Sequence, residues 1–202
     1  MANITAQMVK DLRQETGAGV LDCKQALEIH EGDFEKAAAW LRDKGIAAAA
    51  KRSERVAKEG IIGSYIHAGS KVAALVELNC ETDFVARSAD FTEFTKNVAM
   101  HIAALNPIYV RREDVSEPVI ESEKSIYREQ AKESGKPEKF WDKIISGRLD
   151  KFYSEVCLLE QTYIKDDSRS IQDVLNELIA KMGENISIRR FVRYQLGETA
   201  PR

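Results

Sequence analysis

The residues that could carry covalent or metal chemistry in this chain are His30, His67, His101, Cys23, Cys80 and Cys157, with the turns Gly17-Ala18-Gly19 and Gly135-Lys136-Pro137. A metal centre needs ligands at short, recurring spacings. The histidines fall in different elements and the cysteines are scattered, so neither a metal site nor an even-numbered disulfide framework is predicted. His101 lies beside the apolar stripe of its helix, which predicts a half-buried structural histidine. A dinucleotide fingerprint needs a third glycine and a preceding strand, whereas Gly17-Ala18-Gly19 follows a helical pattern. Its predicted role is a turn. Gly135-Lys136 matches a phosphate loop in two letters only, and no nucleophile elbow occurs. The acids belong to helix surfaces. The sequence therefore predicts no catalytic residue, no metal and no cofactor.

A different kind of site is suggested by "CETDFVARS", Cys80–Ser88. A short acid, Asp83, and a large ring, Phe84, stand side by side where a strand-like run has just ended. Two readings fit the residues. Thr82 or Asp83 caps a short helical turn with Phe84 and Val85 packed under a hairpin, or the pair is built to enter another molecule. Two further features resist a purely structural account. The turn after the first helix places the apolar pair Val20 and Leu21 beside Gly17-Ala18-Gly19. Near the end of the chain, Arg189 and Arg190 are adjacent in a strand, which predicts opposite faces, one arginine buried and paired and the other exposed.

These residues need elements to hold them. Thr5 is positioned to cap a first helix with Met8, Val9 and Leu12 as its stripe, and glycine at 17–19 stops it. A second helix runs from about Leu21 to Ile29 and ends near Gly32. Asp33 caps a third, with Ala37, Trp40 and Leu41 inward and Gly45 as the predicted stop. Leu27 and Trp40 hold this small bundle. Residues 46–59 read as a helical linker whose basic cluster (Lys51, Arg52, Arg55, Lys58) is diluted by Glu54 and Glu59. Runs Ile61–His67 and Lys71–Asn79 around Ala68-Gly69-Ser70 predict a β-hairpin. Asp90 is the predicted cap of a helix striped by Phe91, Phe94, Val98, Ile102 and Leu105, broken at Asn106-Pro107, with a short strand at Ile108–Val110. From about Val119 to Tyr153 two charged helices joined at "SGKPEK" predict a protruding helical hairpin. Ser170 opens a last helix that ends at Gly183, and "ISIRRFVRYQL" alternates as a final strand. The whole is an α+β fold with helices packed against an antiparallel sheet. The predicted domains are 1–45, a linker at 46–59, and a core at 60–202 with the hairpin inserted at about 119–154.

The composition sets the limits. The chain has 202 residues, 44% hydrophobic, enough for a real core. Thirty Lys and Arg against 33 Asp and Glu give a net charge of -3, without the basic surplus of a general nucleic-acid binder. No apolar run approaches the ~18 residues of a membrane span, and no targeting segment is visible. A soluble, cytoplasmic protein in a reducing compartment is expected, with no membrane partner and no specific nucleic acid.

At Val9–Leu27, "VKDLRQETGAGVLDCKQAL" closely resembles the N-terminal signature of the bacterial-type elongation factor Ts family. "CETDFVA" resembles that family's second signature. "SGKPEK", "GRLDKFYSEVCLLEQ" and "GENISIRRF" are similar to its later segments, in the order of the shorter members. The resemblance spans nearly the whole chain, and several motifs in order are far more specific than one. It implies a ubiquitin-associated-like three-helix domain followed by an α+β core. It implies guanine-nucleotide exchange on elongation factor Tu, without covalent chemistry. Asp83 and Phe84, flanked by Thr82 and Val85, would insert into the partner's GTPase domain near its magnesium and phosphate site, and Leu12, Arg13, Val20 and Leu21 would contact the same domain. Longer members carry a second half of the core, so the short form implies a homodimer. Where the family commonly reads Pro-Phe after "CLLEQ", this chain has Thr162-Tyr163. A docking module without exchange activity, or an RNA-binding module using the basic linker, are the competing readings.

Overall fold

Thr5 opens the first helix, its Oγ1 accepting the Met8 N–H at 3.2 Å. The computed structural model describes residues 4–135 and 137–198; Lys136 of the Gly135–Pro137 turn and the last four residues lie outside them. Helix α1 (Ala6–Thr16) ends at Gly17, whose φ of 67° suits glycine and whose N–H donates to the Arg13 carbonyl. Helix α2 (Val20–Ile29) follows, and Asp33 caps α3 (Phe34–Arg52) by accepting the Lys36 N–H at 3.0 Å. Leu12, Cys23, Ala26, Leu27, Ala37 and Leu41 form the buried core of these helices, with Trp40 packed against its edge. Lys44 lies over the Trp40 ring and reaches Asp22 at 2.8 Å.

Gly45 does not stop α3, contrary to the sequence expectation. The helix continues seven residues beyond it, to Arg52. A mid-helix glycine costs only about 1 kcal/mol, and the alanines at 47–50 are the best helix formers. The packing does not require glycine here, since a Cβ at 45 would make an ordinary contact of 3.6 Å with the Ala180 Cβ.

Strands β1 (Glu59–Ile66), β2 (Val72–Cys80) and β3 (Ser187–Gln195) form one antiparallel sheet in the order β1-β2-β3. His67 N–H donates to the Val72 carbonyl to close the hairpin, and Leu196 N–H to the Lys71 carbonyl sets the other edge. Gly63 is required in β1, because a Cβ there would collide with the Thr95 methyl. By packing, the chain forms two units: residues 1–63, 76–97 and 173–189 in one, and 64–75, 98–172 and 190–202 in the other.

In the first unit, α4 (Asp83–Ala86) and the start of α5 (Ala89–Leu105) follow β2, and most of α8 (Ile171–Met182) precedes β3. Asp90 is not the cap of α5. Ser88 accepts the Phe91 N–H through Oγ and the Thr92 N–H through its carbonyl, while Asp90 pairs with Lys181 at 2.7 Å. Phe91, Phe94 and Val76 are buried.

In the second unit, α6 (Glu117–Glu133) and α7 (Trp141–Val156) form the helical hairpin. Helix α6 begins two residues before Val119 because Pro118 suits a first turn, where its missing N–H costs nothing. Ile108–Val110 is not a strand; Tyr109 makes a single parallel bridge with Cys157. His101 is fully buried rather than half-buried. Thr162 bridges Ser170, and Tyr163 is buried with its N–H on the Arg169 carbonyl, so Thr162-Tyr163 forms an extended pair at this point.

Arg189 and Arg190 are both exposed, against the expectation that one is buried. The largely covered arginine of this strand is Arg193, whose side chain is 10% exposed and whose Nε donates to the Ala103 carbonyl. Ile188 is buried and the Arg193 side chain is largely covered although they stand five positions apart. Strict alternation about one face does not give this pattern, and both arginines between them are left exposed.

Candidate functional site

The site is built from the end of β2. Thr82 has extended backbone angles and caps α4, its Oγ1 accepting the Val85 N–H at 3.4 Å. The Ala86 and Arg87 N–H groups donate to the carbonyls of Thr82 and Asp83, and Ser88 Oγ donates to the Val85 carbonyl at 2.8 Å. This short turn has an inner and an outer side. Val85 and Ala86 face inward and are buried; Asp83 and Phe84 face outward. Phe84 is 82% exposed. The capped-turn reading of the sequence is right for Thr82 and Val85, and wrong for Phe84, which does not pack under the hairpin. Asp83 is engaged by Arg87 at 2.7 Å, an exposed pair one helical turn apart.

The turn is held from outside its own segment. Glu184 Oε2 accepts the N–H groups of Glu81 and Thr82 at 3.1 and 3.0 Å, and Oε1 accepts the Thr82 hydroxyl at 2.6 Å. Glu81 returns the contact, accepting the Asn185 N–H at 2.6 Å and pairing with Arg55 at 3.5 Å. Asn185 Nδ2 donates to the carbonyls of Ser53 and Arg55, at 3.3 and 2.6 Å. Cys80 donates its thiol to the Thr82 carbonyl at 3.1 Å; burial first, and then the nearby Glu184 charge, push its pKa up to about 11, so it stays protonated. Sequence reasoning missed Glu184. "GENI" was visible as a motif, but nothing in local periodicity pairs it with a residue about a hundred positions away.

The second group of expected residues divides. Val20 and Leu21 are 55% and 82% exposed at the start of α2, and Arg13 is exposed on α1. Leu12 is a correction: fully buried in the helical core, it does not belong to the exposed patch. Val85, likewise buried, supports the turn from beneath.

The remaining polar residues are structural. His101 Nδ1 accepts the Ile164 N–H at 3.3 Å, so Nε2 carries the proton and donates to Gln161 Oε1 at 2.9 Å. Gln161 Nε2 donates to the Glu155 carbonyl at 2.7 Å, which fixes the amide's orientation. Burial lowers the His101 pKa. Arg112 joins Glu160 and Asp150 and lies over the Tyr153 ring, lining an open cavity of about 520 Å³ in which Arg111 also pairs with Asp114. Among the described residues, no three His, Cys, Asp or Glu converge on a metal position, and no helix is long and apolar enough to cross a membrane.

A family model described as Elongation factor TS matches residues 34–198. The chain is 60% identical over 196 residues to a protein of Geobacter metallireducens, covering 97% of this chain and 91% of the relative. It is 57% identical over 195 residues to one of Syntrophus aciditrophicus, covering 96% and 97%. A relative from Nitratidesulfovibrio vulgaris is 58% identical over 194 residues, covering 96% and 97%. Each of these relatives bears the name Elongation factor Ts.

Proposed function

This chain belongs to the elongation factor Ts family of translation elongation factors, and we propose that it promotes GDP release from elongation factor Tu. The observation that carries the reading is Phe84, an 82% exposed ring on a turn anchored at both ends. A soluble protein gains nothing in stability from an exposed phenylalanine, whereas burying one against a partner contributes roughly 1.5–3 kcal/mol. In the proposed mechanism Asp83 and Phe84 enter the GTPase domain. The ring wedges between side chains near the magnesium and phosphate site, magnesium coordination is disturbed, and GDP leaves. Asp83 exchanges its Arg87 partner for donors on the GTPase. Each tenfold acceleration needs about 1.4 kcal/mol off the barrier, so Phe84 supplies roughly one or two decades. Val20, Leu21 and Arg13 supply binding energy from the N-terminal helices, which we treat as a docking domain ahead of the core. Linkage makes the cycle reversible: a factor that weakens nucleotide binding is itself weakened by nucleotide.

No covalent step and no cofactor enter this reading, and the proposed location is the cytoplasm. A homodimer is the proposed assembly, supported by the exposed strand residues Ile66, Leu75 and Tyr194. Light scattering of the purified protein decides it; a monomer at micromolar concentration rejects it.

The exposure of Val20 and Leu21 also favours a competing reading, a docking protein without exchange activity. Release of a fluorescent GDP analogue from elongation factor Tu separates the two. The exchange reading predicts catalytic acceleration by the wild-type protein, reduced roughly ten- to a hundredfold by Phe84→Ala at saturating factor. It also predicts that Leu21→Asp raises the concentration needed without lowering the maximal rate. A complex that forms on a sizing column without accelerating release contradicts the exchange reading.

A further inference from the structure

The bonds that hold the α4 turn converge on a residue outside it. We infer that Glu184 is a positioning residue for nucleotide release, fixing Glu81 and Thr82 and through them the presentation of Asp83 and Phe84. The inference rests on the exchange reading above.

A helix of four residues cannot hold itself, because so short a segment does not recover the cost of nucleation. Its order must come from its ends. At the C-terminal end Ser88 joins the turn to α5. At the N-terminal end the ordering group is Glu184, whose two oxygens take three hydrogen bonds from the two residues immediately before Asp83.

The bond to the Thr82 hydroxyl has a second consequence. A hydroxyl has one proton and two lone pairs. With its proton directed at Glu184 Oε1, Thr82 Oγ1 turns a lone pair toward the Val85 N–H, which is the cap that starts α4. Glu184 therefore orients the cap as well as anchoring the backbone. The neighbouring bonds work the same way. Glu81 accepts the Asn185 N–H, so the 81–82 and 184–185 segments clamp each other. Asn185 ties that clamp to the Ser53 and Arg55 carbonyls, where the chain leaves α3. Helix α3 belongs to the bundle that carries Val20 and Leu21. A ring held ready before contact loses less freedom on binding than one on a mobile loop.

The test uses the full-length chain, elongation factor Tu and a fluorescent GDP analogue. Glu184→Ala is expected to slow release at saturating factor by about tenfold, the effect of one charge-assisted hydrogen bond. Phe84→Ala combined with Glu184→Ala is expected to be slowed by less than the product of the two single effects, because both act through the same turn. Glu184→Gln keeps an acceptor for the two N–H groups and recovers most of the rate. In the free protein, amide hydrogen exchange of Glu184→Ala rises at Glu81, Thr82 and Val85 and stays unchanged elsewhere. A wild-type rate in Glu184→Ala, additive slowing in the double variant, or loss of amide protection throughout the chain overturns the positioning role. If the wild type accelerates release and Phe84→Ala is slow while Glu184→Ala is fast, this inference fails and the exchange reading stands. If the wild type releases no GDP, both fail.

Discussion

Phe84 and Phe91 are the same residue seven positions apart, on successive helices. Phe91 is fully buried; Phe84 is 82% exposed. Their surroundings differ in the same sense. Helix α5 repeats its apolar residues at helical spacing, so Phe91, Phe94, Val98 and Ile102 all turn inward. Helix α4 has one turn only and spends its inward positions on Val85 and Ala86, leaving its ring outside. Polar groups follow suit. The His101–Gln161 cluster is sealed inside the second unit, whereas Glu184 satisfies its donors at an exposed turn. Closed hydrogen bonding thus does two jobs in one chain: it makes burial possible in one place and holds an unburied side chain still in another.

The contrast can be broken by truncating each side. Phe91→Ala is expected to cost about 3–5 kcal/mol of stability, the range for a fully buried phenylalanine, read from denaturant unfolding. A cost below about 1 kcal/mol would mean that α5 is not the core helix described. Gln161→Ala should cost about 1–3 kcal/mol, because His101 Nε2–H is left buried without an acceptor. Gln161→Glu distinguishes lost volume from lost bonding, since it keeps an acceptor of the same size.

A smaller effect comes from pH. Burial lowers the His101 pKa below its ordinary 6.5, so the folded chain refuses a proton that the unfolded chain takes up. Stability is full above that pH and falls as pH drops through it. Melting midpoints followed from about pH 8 to pH 5 should decline in the wild type and decline less in His101→Gln. Equal slopes would remove His101 as the source. The smallest expected change is at the exposed pair. Arg87→Ala should shift stability by less than about 0.5 kcal/mol, since both partners of the Asp83–Arg87 pair are mostly in solvent. A larger loss would show that the pair holds α4 together.

The parts of this fold that rest on local chemistry were legible in the sequence. Thr5 and Asp33 as caps, Gly17 and Gly183 as helix ends, the hairpin, and the apolar stripe of α5 up to Ile102 all follow from residues within a few positions of one another, whereas Leu105, expected in that stripe, is exposed at the helix end. Two failures also fall on local signals. Gly45 is tolerated inside α3 among strong helix formers, and β3 departs from strict alternation, leaving Arg189 and Arg190 both exposed. At the site, the types of Asp83 and Phe84 and their position after a strand raised the right question without answering it. Periodicity cannot tell an inward from an outward ring in a single turn. The clamp was out of reach because Glu184 meets Thr82 only through the return of the chain, and Leu12 was placed at the surface by resemblance where packing makes it core.

The most direct test of the account measures two properties of Phe84→Ala side by side: its melting midpoint and its maximal rate of GDP-analogue release from elongation factor Tu. The account predicts an unchanged midpoint and a release rate reduced roughly ten- to a hundredfold. An unchanged rate, or a rate that falls only because the protein no longer folds, would contradict it.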